Sequence, residues 1–183
     1  MLIDLLNKRQ SYRAIDKIEI TDNIINELAI AASKAPSCYN KQPWNFVFVR
    51  NEDQLIKLRL GLSKGNEWAY NAPLFIAVYA DKNADCIVAN REYYLFDTGM
   101  SVMNLMLRAV EMDLVVHPIA GYDEHIFKNI LGIKDKYNLI TVVVVGKKAD
   151  KIPEFFNDEM IAMENYPSPR KEFKEIMSID KVE

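Results

Sequence analysis

Residues 35–49 read Ala35-Pro36-Ser37-Cys38-Tyr39-Asn40-Lys41-Gln42-Pro43-Trp44-Asn45-Phe46-Val47-Phe48-Val49, a proline-framed polar loop that runs straight into an apolar strand. Each proline fixes its own φ and removes a backbone donor, so Pro36 and Pro43 stiffen the small polar residues between them. A rigid loop of this kind suits recognition. Ser37 and Asn40 can address the carbonyl and amide edge of a heteroaromatic ring, whose flat body needs a few placed donors and acceptors. An ordinary proline-rich turn fits the same residues but leaves the clustered polar groups unexplained.

Outward from this stretch, the pattern predicts the flanking elements. Thr21 precedes Ile24, Ile25, Leu28, Ile30, Ala31 and Ala32, which predicts an N-capped amphipathic helix that ends before Pro36. β-Branched and aromatic residues dominate Asn45–Val49, a predicted strand, and a helix from about Asp53 to Leu62 follows. Leu74–Ala80 and Leu139–Val145 are nearly uninterrupted apolar runs, as expected of central strands covered on both faces. Asp123 and Gly132 punctuate a further short helix as N-cap and C-terminal stop.

A long helix is predicted near Asp85 to Asp113, with Asp97, Ser101, Asn104 and Arg108 at spacings of three and four forming one narrow polar stripe. The rest of its surface is apolar or aromatic, so it must be buried nearly all round. Two readings stay open: the central helix of a monomer core, or a helix whose surplus apolar surface meets a second copy. A membrane span is disfavoured, because Asp97 and Arg108 would each cost roughly 2.5–3.5 kcal/mol on insertion. From Lys151 onward the period is lost. Phe155, Phe156, Ile161, Met163, Tyr166, Phe173 and Ile176 are scattered apolar anchors, and Pro167 and Pro169 keep the backbone extended. Residues 151–183 therefore read as an arm suited to wrapping a neighbour, within a single domain spanning residues 1–183.

The chain has 183 residues, half of them apolar and about a quarter charged, and a length of this order buries on the order of 70% of the unfolded surface. A net charge of −3 argues against a nucleic-acid partner. Cys38 and Cys86 lack metal-type spacing, and His117 and His125 cannot supply a paired-histidine ligand set, so no metal site is expected. Scarce cysteine and an amino terminus without a signal-type run point to a cytoplasmic protein. Neither histidine has a positioned acidic partner, so local packing or exposure is expected of both.

Lys8-Arg9-Gln10-Ser11-Tyr12-Arg13 gathers three cations and a hydroxyl within six residues. Arginine forks meet phosphate oxygens in pairs and a serine hydroxyl adds a further bond, which makes phosphate an obvious ligand; a solvated cationic face is the bland alternative. Taken together, R-Q-S-Y-R (9–13), A-P-S-C-Y-N-K-Q-P-W-N-F (35–46) and H-P-I-A-G-Y-D (117–123) resemble the nitroreductase family of FMN-dependent oxidoreductases, in that family's order and approximate spacing.

The resemblance implies an α+β, three-layer fold. A mainly antiparallel central sheet lies between helices, a long buried helix lies at a homodimer interface, and two identical FMN sites are built from both subunits. In one subunit Arg9, Gln10, Ser11 and Arg13 would serve the phosphate, ribityl chain and pyrimidine edge, with Arg170 as a second phosphate arginine. From the other subunit would come Pro36, Ser37, Cys38 and Asn40. The Pro118-Ile119-Ala120-Gly121 turn would run beside the isoalloxazine, a backbone N–H near N5. Cys38 stands where many relatives have serine and reads as a small packing residue, not a catalytic thiol. Asp97, Asn66 and Trp68 stand where some relatives approach the ring, and a pocket-covering insertion of larger relatives is missing.

The implied activity passes electrons from NADH or NADPH to a nitroaromatic, quinone or similar small acceptor by a ping-pong route, with no catalytic side chain because the flavin holds the chemistry. A flavin carrier or redox-responsive protein without robust turnover is the alternative, as is a specialised activity such as reductive dehalogenation.

Overall fold

The computed structural model describes residues 1–166 and 168–182. In chain order these form helix α1 (Leu2–Lys8), strand β1 (Ile15–Asp16), α2 (Asp22–Ser33), β2 (Trp44–Val49), α3 (Glu52–Arg59), β3 (Leu74–Ala80), β4 (Ile87–Val88) and β5 (Arg91–Glu92). They continue with α4 (Tyr93–Glu111), β6 (Val115–Ile119), α5 (Glu124–Leu131), β7 (Asn138–Lys148), α6 (Asp158–Asn165) and α7 (Phe173–Ile176), together with short 3-10 turns.

The two continuous apolar runs make the centre of the sheet. β3 pairs with β2 on one edge and β7 on the other, and β6 and β1 share the far edge of β7, every pairing antiparallel. Because side chains alternate across a strand, each run feeds two cores. Leu74, Ile76 and Val78 of β3 join Val143 and Val145 of β7 beneath Leu28 and Ala32 of α2 and Leu105 and Ala109 of α4. Phe75 and Ala77 join Val142 and Val144 on the opposite face, against Leu55 and Leu58 of α3 and Phe127 of α5. Full burial of one such side chain is worth about 1.5–3 kcal/mol, which is why the strands read as unbroken apolar stretches. The result is the expected three-layer α+β arrangement.

The caps fall where the sequence put them. Thr21 accepts from the Ile24 N–H, Asp123 accepts from the Ile126 N–H, and Gly132 takes the left-handed conformation, φ 68°, that ends α5. At Gly146 β1 crosses β7 so closely that a Cβ would lie 3.0 Å from the Asp16 carbonyl oxygen and meet Ile15 as well.

The long helix starts later than its periodicity suggests. Residues 87–92 form a β4–β5 hairpin whose turn residues Ala89 and Asn90 have φ 48° and 65°, and α4 begins at Tyr93, not near Asp85. Ile87 and Val88 kept the apolar count going, whereas an asparagine in a two-residue turn with positive φ closes a hairpin. Within α4 the first half of the polar stripe faces inward, Asp97 and Ser101 being buried and the Ser101 hydroxyl donating to the Ala32 carbonyl at 2.8 Å, whereas Arg108 is partly exposed and pairs with Glu27 and Glu111. Leu95 and Phe96 face outward, 48% and 63% exposed.

The arm divides in two. Phe156, Ile152, Met160 and Ile161 pack onto the core on the α3–α5 side of the same chain. Phe173, Ile176 and Ile179 are uncovered. Pro167, read from sequence as keeping the backbone extended, lies outside the described residues.

Candidate functional site

The segment between α1 and β1 holds Arg9, Gln10, Ser11 and Arg13, and α6 docks against it. Gln10 donates to the Met163 carbonyl at 2.7 Å, and the Arg13 backbone N–H donates to Glu164 Oε1 at 2.6 Å. Glu164 is buried, and its other oxygen has no partner among the described residues. This docking carries the chain onward to Ser168 and Arg170. A cleft of about 450 Å³ is thereby lined by Arg9, Gln10, Ser11, Arg13, His117, Met163, Ser168 and Arg170 with part of α1, a volume within the range of small-molecule sites. Arg9 donates to the Ser11 hydroxyl oxygen at 3.2 Å, and Arg170 to the Ser168 carbonyl at 3.2 Å. Among the described residues none of the three guanidiniums forms an ion pair with a carboxylate. Their charge is available to an anion.

His117 enters this cleft from β6, a placement that the sequence reading did not foresee. Its Nδ1 lies 3.0 Å from the Tyr12 carbonyl oxygen, which can only accept, so Nδ1 holds the proton and Nε2 is an acceptor. Burial first, then the charges of Arg13 and Arg9, push its pKa down to about 4. The ring stacks on Trp68 at 4.5 Å, and Arg13 lies over the same indole at 5.9 Å.

The turn after β6 is held by the loop before Trp68. The Ser63 N–H and the Asn66 side-chain amide both donate to the Gly121 carbonyl, at 3.0 and 2.9 Å. A Cβ at Gly121 would lie 2.6 Å from that Asn66 amide nitrogen and would displace the Asn66 side chain from its hydrogen bond. Pro118 and Ile119 pair with β7, Ile119 is buried and Ala120 is exposed, and none of Pro118, Ile119, Ala120 and Gly121 lines the cleft that their neighbour His117 enters.

Pro36, Ser37, Cys38 and Asn40 do not line the cleft of their own chain. Their loop is unusually shaped: Tyr39, Asn40 and Gln42 have φ of 49°, 58° and 49°, in the left-handed region. The Ser37 hydroxyl oxygen accepts from the Gln42 N–H at 2.9 Å, and Asp97 Oδ2 accepts from the Cys38 N–H at 2.7 Å. Asp97 thus positions the loop from within α4.

Cys38 is not the lone packing residue read from the sequence. It is disulfide-bonded to Cys86, with Cα atoms 6.1 Å apart. Asp85 lies with them, buried, its carboxylate oxygen within 4.8 Å of both sulfurs. Forty-eight residues separate the two cysteines, and no spacing pattern announces such a pair.

An antiparallel sheet lies between two helix layers, and a cationic cleft is assembled beside it from both ends of the chain. The sequence profile of the Nitroreductase family matches residues 6–64 and 60–147, and the chain belongs to that family. YdgI of Bacillus subtilis strain 168, provisionally named an NAD(P)H nitroreductase, is 26% identical over 186 residues, covering 81% of this chain and 89% of the relative. Among solved structures, an oxidoreductase described as containing FMN is 25% identical with a TM-score of 0.83, covering 97% of this chain and 90% of that one. A nitroreductase family protein of Clostridium difficile 630 is 23% identical with a TM-score of 0.79, covering 98% of each chain. No helix among the described residues is long and apolar enough to cross a membrane.

Proposed function

We propose that the chain is an FMN-dependent oxidoreductase that draws electrons from NADH or NADPH and passes them to a small organic acceptor, a nitroaromatic, a quinone or a similar compound, by ping-pong exchange in one pocket. The observation that supports this most is the convergence of Arg9, Ser11 and Arg13 with Arg170, from opposite ends of the polypeptide, on one cleft. Three guanidiniums without carboxylate partners among the described residues, and a hydroxyl, are the donor set that a phosphomonoester dianion needs, because a desolvated phosphate is costly unless paired and hydrogen-bonded. The residues present therefore fit FMN.

When bound, FMN supplies two-electron chemistry, accepting hydride from a nicotinamide and releasing electrons to the acceptor. The chain's part is to bind and orient. Arg9, Ser11, Arg13 and Arg170 hold the phosphate end, and Gln10 ties their segment to α6. Ala120 and Gly121 form a low wall where a flat ring lies close to backbone. A neutral His117 behind the cleft adds no positive charge of its own at neutral pH.

The second copy supplies the remaining wall. Outward-facing Leu95 and Phe96 on α4, with Phe173 and Ile176 on the arm, are the apolar surface that a homodimer would cover. In that dimer Pro36, Ser37, Cys38 and Asn40 lie toward the partner's ring, Cys38 through its backbone because its sulfur is bonded to Cys86, and residues after Arg170 reach across the interface.

The test is spectroscopic. The purified protein should be yellow, and anaerobic mixing with NADH or NADPH should bleach the flavin band promptly, with parallel lines in double-reciprocal plots of steady-state rates. A colourless protein sinks the proposal, and a flavin band unchanged over minutes reduces it to a flavin carrier.

A further inference from the structure

The cluster at the N-terminal end of α4 is chemically unlike the cationic cleft. Cys38 and Cys86 are bonded, and Asp85 stands against both sulfurs, 95% buried by its 5% exposure. One Asp85 oxygen accepts from the Cys86 N–H at 2.7 Å, and the other is buried without a partner among the described residues. Asp97 faces it from α4 and Lys41 from the loop. Asp85 uses one oxygen to hold the Cys86 N–H, and the second, beside the disulfide, has no structural use among the described residues. It does have a chemical use.

We propose that Cys38 and Cys86 form a redox-active dithiol–disulfide site, apart from the Arg9–Arg170 cleft of the same chain, in which Asp85 is the proton donor and acceptor for Cys86 and the co-reactant is a small-molecule thiol. Cys38 is the half-buried member and Cys86 is buried, so an incoming thiolate meets Cys38 Sγ. The S–S bond breaks, its electron pair goes to Cys86 Sγ, and the Asp85 carboxyl protonates the departing sulfur. A second external thiolate then attacks the mixed disulfide. Cys38 leaves as a thiolate that takes a proton from solvent, and the external thiol departs as its own disulfide. Two thiols are oxidised and one protein disulfide is reduced. In reverse, Asp85 takes the proton as the Cys86 thiolate forms.

The surroundings keep Asp85 suited to this. Burial in the first place, and the neighbouring Asp97 carboxylate, raise its pKa above the usual carboxylate value, with the Cys86 N–H and Lys41 opposing. The carboxyl is thereby poised closer to neutral pH than a free aspartate.

Stopped reduction with dithiothreitol, followed by a maleimide quench and intact mass measurement, reads the state of both sulfurs whether or not flavin is bound. Native protein should gain two labels without denaturant and lose both sites again in oxidised glutathione. Asp85→Asn, a neutral isostere that still accepts from the Cys86 N–H, should slow reduction by up to about 100-fold. The wild-type rate per external thiolate should fall as pH rises, and the variant's should be flat. Labels that appear only after denaturation, or an Asp85→Asn rate equal to wild type across pH, would overturn the proposal. Flavin content is read separately, so failure here leaves the oxidoreductase reading untouched.

Discussion

The cationic cleft and the sulfur–carboxylate cluster solve opposite electrostatic problems. The cleft gathers Arg9, Arg13 and Arg170 with no carboxylate to pair them among the described residues, and it is open to solvent. The cluster gathers Asp85 and Asp97 in the interior beside two sulfurs, with a backbone N–H for each acid. Unpaired exposed cations are cheap, because water screens them, and they await an anion. Unpaired buried acids are expensive, so they persist only where backbone donors or proton exchange relieve them. On the proposed reading one region is completed by a bound anion, and the other draws its partners from within the chain.

The largest expected effect tests the incompleteness of the cleft. Arg9→Ala combined with Arg170→Ala removes two charge-assisted partners, each worth about 1.5–3 kcal/mol, and should weaken flavin binding at least about 100-fold while leaving urea stability unchanged. Full flavin retention after dialysis would break the contrast between the regions.

Next in size is the response to acid, which should have opposite signs in the two regions. His117 is held neutral, so the unfolded chain binds the extra proton. Stability is fully present above about pH 6.5 and falls as pH drops toward about 4, by up to about 3 kcal/mol. Asp85 is raised, so the folded chain binds its proton more tightly than the unfolded chain does, and that contribution is present at low pH and lost as pH rises through the folded value. Urea midpoints measured from pH 7 to pH 4 should decline in wild type, decline less in His117→Asn, and decline more in Asp85→Asn. Parallel profiles in all three would remove the distinction.

The smallest effect sharpens how the cluster serves the loop. Asp97→Ala leaves the Cys38 N–H unpaired and should cost about 1–3 kcal/mol, toward the lower end because repulsion with Asp85 is relieved. The same variant should lower flavin affinity far less than the double arginine change, as read by equilibrium dialysis.

Much of this was legible in the chain. Thr21, Asp123 and Gly132 marked helix ends because capping is a local bargain between one side chain and the next few backbone groups. Leu74–Ala80 and Leu139–Val145 announced themselves as central because a strand covered on both faces has no polar side to show. The start of α4 was misplaced because Ile87 and Val88 extend a helical apolar count that only a hairpin turn interrupts. The polar stripe was located, but its direction was not: periodicity groups Asp97 with Ser101 without saying whether the group faces water or the interior. His117 gave no sign that it lines the cleft, since its partner Tyr12 lies 105 residues away.

Sequence alone determined several of the helices, the two central strands as apolar runs, and the family, because those depend on local propensity and on motifs read in place. Tertiary structure alone decided which groups meet: Arg9 with Arg170, His117 with Trp68, and Cys38 with Asp85 and Cys86. Encounters across such separations are set by how the layers pack, and packing is a property of the whole core that no short window of residues contains.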